Sequence, residues 1–115
     1  MDLTVWPYRN LAYHLAGLHR SLLTWRQWAG EDAAWPRSAS LRLTLKPRSG
    51  DLVWQQRHFS YRLAAGGGLD AFHLPESGPD FDFLALTRDL AALNARVIDL
   101  TQDLQESQLD LGLLP

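Results

Sequence analysis

The side chains of this 115-residue sequence that could do chemistry are four histidines, a few serines and a run of acids, with no cysteine. His14 and His19 stand five apart, so on a helix they miss the i, i+4 face that a zinc-binding pair uses. His58 and His73 fall on segments that read as neighbouring strands, within reach of Asp70 or Glu76. A metal needs three convergent ligands, and no spacing here enforces them. The four read as ordinary surface or hydrogen-bonded imidazoles. Nucleophile motifs are missing too: there is no G-x-S-x-G elbow, and Ser38, Ser40, Ser49 and Ser60 sit in turns or strands without a suggestive neighbour. Asp89, Asp99, Asp103 and Glu106 spread along one helix as a solvated face rather than an acid–base pair. The "AAGGG" of residues 64–68 is a flexible turn, lacking the wider spacing and the lysine of a P-loop. No catalytic residue, metal ligand or cofactor is assigned, and the pattern points to binding rather than catalysis.

Cations are the stronger signal. Residues 1–65 hold nine Lys/Arg against four Asp/Glu, and residues 66–115 hold two against nine, so the net charge of −2 divides into +5 and −7. Two halves of opposite sign can neutralise each other by packing, and they can also favour an anionic partner at one end. Arg42, Lys46, Arg48, Arg57 and Arg62 project onto the polar side of a hairpin, with His58 and Trp54 assigned to the same side. Cations for phosphates and a ring for stacked bases are what single-stranded nucleic acid requires. The alternative is that these are solubilising charges that guard a sheet edge.

The elements that must position these groups follow from periodicity. In "NLAYHLAGLHRSLLTWRQWAG", Leu11, Leu15, Leu18, Leu22 and Trp25 recur in steps of four and three, which predicts a helix over residues 8–29 closed by Gly30. "SLRLTLK" alternates strictly, as a half-buried strand does. "PRSGD" is turn chemistry, and "LVWQQRHFSYRL" returns as a second strand. Its later alternation, projected backwards, puts Val53 with the apolar set and Leu52 and Trp54 opposite, with a bulge near residues 55–57. "LDAFHL" supplies a third strand. A last helix starts near Asp80 and carries Leu86, Leu90, Leu93, Val97, Leu100 and Leu104 as a heptad-like seam. The expected fold is α+β: one domain over residues 1–106 of order α-β-β-β-α, a small antiparallel sheet with both helices on one face. That order matches the double-stranded-RNA-binding domain in outline, but "PDFDFLALTRDL" would repel phosphate where that family places basic residues. The family is therefore rejected. With 46% hydrophobic and 21% charged residues the composition is globular. No apolar run approaches the roughly 18 residues of a membrane span and no secretory signal opens the chain, so no membrane contact and a cytoplasmic location are expected.

Residues 107–115 form a separate apolar tail. Its "QLDLGLL", residues 108–114, resembles the peptide by which bacterial translesion polymerases, mismatch-repair proteins and replication-initiation regulators dock on the DNA sliding clamp. That resemblance implies Gln108 in a small polar subsite, Leu111 and Leu113 in an apolar cleft, Leu109 alongside, and Leu114 completing the closing pair that is often phenylalanine. It implies an extended tail, and Gly112 agrees, since glycine costs about 1 kcal/mol inside a helix. Leu111 also lies one heptad beyond Leu104, so the seam could instead continue and bury the tail at home. The expected function is a small accessory protein of DNA replication or repair, docked on a clamp and in contact with nucleic acid through the hairpin. The alternative is a homodimeric adaptor whose helices and tail form a protein–protein interface.

Overall fold

A computed structural model describes residues 8–73 and 81–110. In chain order these form α1 (Tyr8–Ala29), β1 (Leu41–Leu45), β2 (Ser49–Trp54), β3 (Arg57–Leu63), β4 (Leu69–His73) and α2 (Phe83–Asp110). The strands make an antiparallel meander in the order β1-β2-β3-β4. One buried cluster joins the seams of both helices to the inner face of the sheet, as expected of an α+β domain.

The helix seams are where their spacing placed them. Leu11, Leu15, Leu18, Leu22 and Trp25 are all buried, as are Leu86, Leu90, Leu93 and Val97. Leu100 and Leu104 pack half-buried against the same core. Gly30 takes φ 98° and donates its N–H to the Arg26 carbonyl at 2.9 Å, the left-handed stop that glycine makes at least cost. At the start of α2 the Asp82 carboxylate accepts the Ala85 N–H at 2.9 Å, an N-cap that also suits the helix dipole.

The two helices run parallel. Tyr8 meets Phe83 edge-on at 4.6 Å between ring centroids, and at the other end Gln108 donates to the Trp28 carbonyl at 3.1 Å. Chain geometry explains this. An even number of antiparallel strands returns the chain to the end of the sheet where it began. Residues 30–40 carry it there from the far end of α1, since eleven extended residues reach about 36 Å, about the length of a 22-residue helix. The connection is fixed on the way: Trp35 lies 6.0 Å from Trp25, the Arg26 guanidinium stacks 3.7 Å above Trp35, and Arg96 donates to the Arg37 carbonyl at 2.6 Å.

The sheet corrects one expectation. The stretch 52–63 is two strands, folded at Gln55 and Gln56, which take φ of 51° and 63°. Two consecutive positive φ values define the I′ class of hairpin turn, which usually recruits Asn-Gly. Gln-Gln carries no such signal, so the alternation reads as continuous. The register Leu52↔Phe59 and Trp54↔Arg57 then puts Leu52 and Trp54 on the core face and Val53 on the outer face, the reverse of the projected parity. A bulge does occur, but between Arg62 and Leu63. Gly50 faces Tyr61, and a Cβ there would come within 2.5 Å of the Tyr61 Cζ, so the tyrosine ring lies over the glycine backbone.

Candidate functional site

The fold divides the expected nucleic-acid surface. Each set of paired residues shares a face, so Arg42, Val53 and His58 form one row of the outer face. Thr44, Asp51, Ser60 and His73 form the next, and Ser49, Arg62 and Ala71 the third. Arg42 and Arg62 thus stand two rows apart along the strands, about 13 Å. Lys46 and Arg48 are exposed in the turn between β1 and β2, beyond the third row. Arg57 and Trp54 do not belong with them. Arg57 pairs with Trp54 on the inner side, at the sheet's rim, with its guanidinium 5.4 Å from the Phe81 ring. Trp54 is buried to 1% exposure and donates its indole N–H to the Asp89 carboxylate at 2.7 Å. It cannot serve as a stacking platform. Asp89, which spacing assigned to a solvated helix face, is half-buried as the partner of that indole.

Acids also occupy the outer face. Asp51 lies 3.3 Å from His58, and Asp70 receives Arg62 in two contacts of 3.0 and 2.8 Å. The bulge after Arg62 swings Asp70 into that position. The face is therefore mixed in sign, and Asp70 pairs Arg62 while Arg42 has no acidic partner among the described residues.

Of the histidines, only His19 is fully buried. Its Nε2 lies 3.4 Å from the Pro47 carbonyl, which can only accept, so Nε2 carries the proton. Nδ1 then accepts the Tyr61 hydroxyl at 2.6 Å. Burial lowers the His19 pKa, and the Arg20 charge adds to the effect against the raising influence of the Pro47 and Lys46 carbonyls. Burial, and secondarily the Asp51 charge, raises the Tyr61 pKa. Both groups are thus neutral at pH 7, forming a core hydrogen-bond pair between α1 and β3. His58 and His73 sit in different rows. Among the described residues, no three His, Asp or Glu side chains come together as a metal site.

The C-terminal segment departs from an extended tail at its start. Helix α2 continues to Asp110, four residues past the boundary expected at 106, so Gln108 and Leu109 are helical. Gln108 donates to the Trp28 carbonyl, and Trp28 itself is half-buried. Leu109 is 56% exposed. Leu111, Leu113 and Leu114 lie outside the described residues.

Comparison with known proteins adds no relative. No protein-family model, curated protein or solved structure matches this chain. The fold and the side chains themselves are what the functional reading rests on. Among the described residues no helix is long and apolar enough to cross a membrane. Three residues that spacing did not single out also stand out. Tyr13 is 72% exposed, Arg20 reaches across to the glycine turn, and Asn94 carries a buried Oδ1 with no hydrogen-bond partner among the described residues. Only the place of Tyr13 off the leucine seam, two positions from both Leu11 and Leu15, was a signal available in the sequence.

Proposed function

We propose that the chain is a small binding protein, not an enzyme, which serves DNA replication or repair in the cytoplasm of a bacterium by docking its C-terminal end on a sliding clamp. The observation that carries this reading is the exposure of Leu109 in the last turn of α2. Seam residues from Leu86 to Val97 are sealed in the core, whereas Leu109, off that seam and beside the glutamine of the clamp-like peptide, is 56% exposed. A large apolar side chain at the end of a helix, followed by three more leucines in sequence, suits insertion into a partner's cleft. Gln108 would have to leave the Trp28 carbonyl and the last helical turn would have to open. That rearrangement keeps the affinity modest, because it offsets part of the roughly 1.5–3 kcal/mol that each buried leucine contributes. Nucleic acid held at the clamp would meet Arg42, Lys46, Arg48 and Arg62 without an aromatic platform, so this contact would be weak and strongly salt-dependent.

Fluorescence anisotropy with a labelled bacterial sliding clamp tests the reading. Wild type should bind with a Kd on the order of micromolar, and Gln108→Ala with Leu111→Ala should weaken binding about tenfold or more. Equal binding by both proteins, or none by either, sinks the proposal.

A homodimer is the second reading, and one feature favours it. Leu84 and Ile98 are exposed two heptads apart on α2, on a stripe separate from the buried seam. Sedimentation velocity across a hundredfold concentration range would reveal a dimer, and a Leu84→Glu, Ile98→Glu variant would remain monomeric.

A further inference from the structure

Two clefts flank the exposed ring of Tyr13 on α1, and among the described residues neither is lined by an acidic one. In a chain of net charge −2 that is a local inversion of sign. The first cleft, of 480 Å³, lies between α1 and the β3–β4 turn. Its floor is Ala12 and Ala16, and its two ends are the guanidinium-bearing residues Arg9 and Arg20. They are eleven residues apart on one helix stripe, about 16 Å before their side chains reach inward. The opposite wall is Gly66, Gly67 and Gly68.

That turn presents backbone rather than side chain. Arg20 donates to the Gly67 carbonyl, which fixes the guanidinium against the turn. Within the turn, the N–H of Gly67 goes to Ala64 and that of Ala64 to Gly68. The N–H groups of Gly66 and Gly68 take no part in those bonds, and nothing would lie within 4 Å of a Cβ at either residue. Glycine N–H groups left out of the turn's own bonds, beside a fixed guanidinium, are the elements of an oxyanion site. The three glycines lack a P-loop lysine in sequence, but the fold supplies the cation from α1, 47 residues away.

The second cleft, of 490 Å³, lies between the outer sides of α1 and α2 and shares Tyr13 and Arg20 with the first. Its lining is rich in amides and hydroxyls, with Asn94, Gln102 and Gln105 on α2 facing Ser21 and Thr24 on α1. The Asn94 Oδ1 is buried and unpaired among the described residues, an acceptor that a ligand's N–H could satisfy once the side chain rotates toward the cleft.

We infer that these adjacent clefts bind a nucleotide across the Tyr13–Arg20 ridge they share: its phosphate lies on Arg9, Arg20 and the glycine turn, and its base rests on Tyr13 with its edge toward Asn94. The site shares Gln105 with the segment of α2 that opens for clamp docking, but its phosphate end, on α1 and the glycine turn, is separate from it. The ligand is either a free mononucleotide or one nucleotide of a single strand, and the two sources are distinguished by competition.

The test is a set of amide NMR titrations of the full chain with inorganic phosphate, adenosine 5′-monophosphate and a six-nucleotide single strand. Adenosine monophosphate should shift the Gly66–Gly68 amides and the Asn94 side-chain amide saturably, while phosphate alone should shift only the glycines. Arg9→Gln should weaken both ligands about tenfold, consistent with loss of a charge-assisted contact. Tyr13→Ala should leave phosphate unchanged and weaken the nucleotide by at least about fivefold. Arg9 and Tyr13 are exposed, so both variants keep the fold. Displacement of the mononucleotide by the hexanucleotide at lower concentration assigns the strand, and its absence assigns the free nucleotide. No shift at millimolar nucleotide, shifts confined to other surfaces, or variants that titrate like wild type overturn the inference.

Discussion

At the scale of single residues, the most informative group is a histidine that does no chemistry. His19 is buried in its neutral form, donating through Nε2 and accepting from Tyr61, and burial lowers its pKa below the ordinary value. In the unfolded chain it titrates near about 6.5. Below that pH the unfolded state takes up a proton that the native state refuses, so stability present above about 6.5 is lost as pH falls through the lowered native pKa. Urea unfolding between pH 7.5 and 5 should therefore show a decline in stability that the His19→Gln variant lacks, because glutamine can accept from Tyr61 without titrating. Identical slopes for the two proteins would remove His19 from the account. Tyr61→Phe leaves the buried Nδ1 unpaired, at a cost of about 1–3 kcal/mol. None of this was legible in the sequence, where His19 was one imidazole among four. Its partner lies 42 residues away, and that distance closes only when α1 docks on β3.

At the scale of elements, legibility depended on whether the signal was local. The helix seams are local patterns of period 3.6, and every seam residue from Leu11 to Trp25 is buried. The cut in the second strand is local too, but it is made by residues that do not advertise it. Gln55 and Gln56 hold φ of 51° and 63°, a left-handed conformation that suits asparagine and glycine and strains other residues by roughly 1–2 kcal/mol each. The strain is tolerated because Leu52, Trp54 and Phe59 reach the core only in this register. Replacing the pair by Asn-Gly should relieve it and raise stability by about 1 kcal/mol, read as a higher urea midpoint at unchanged m-value. A destabilised Asn-Gly variant would mean that the two glutamines contribute contacts outweighing the backbone strain. The same missed turn accounts for the misplaced Trp54. Parity carried through an unseen hairpin inverts every residue beyond it.

At the scale of the whole molecule, the parallel helices share a graded core. Near the start of α2, Phe81 packs against Trp54, Phe59 and Phe83, with ring centroids 4.4–5.6 Å apart, and Trp54 is anchored to Asp89. Toward the far end the seam thins from buried Val97 to half-buried Leu100 and Leu104, and off the seam Leu109 is exposed. One side-chain hydrogen bond, from Gln108 to Trp28, ties the last turn to α1. Local stability follows buried contacts, so opening of residues 105–110 should cost far less than opening of residues 86–97. Hydrogen exchange would measure this directly. Amides of the central turns should exchange only through global unfolding, at the free energy given by urea. Those of the last turn should exchange by local fraying, faster by two or more orders of magnitude, a gap of about 2.7 kcal/mol. Gln108→Ala should accelerate the last turn alone and leave the centre unchanged. If the end of α2 instead exchanges as slowly as its middle, the helix is held closed over Gln108 and cannot present an extended docking peptide. Clamp docking would then have to be abandoned, whatever the sequence of the tail.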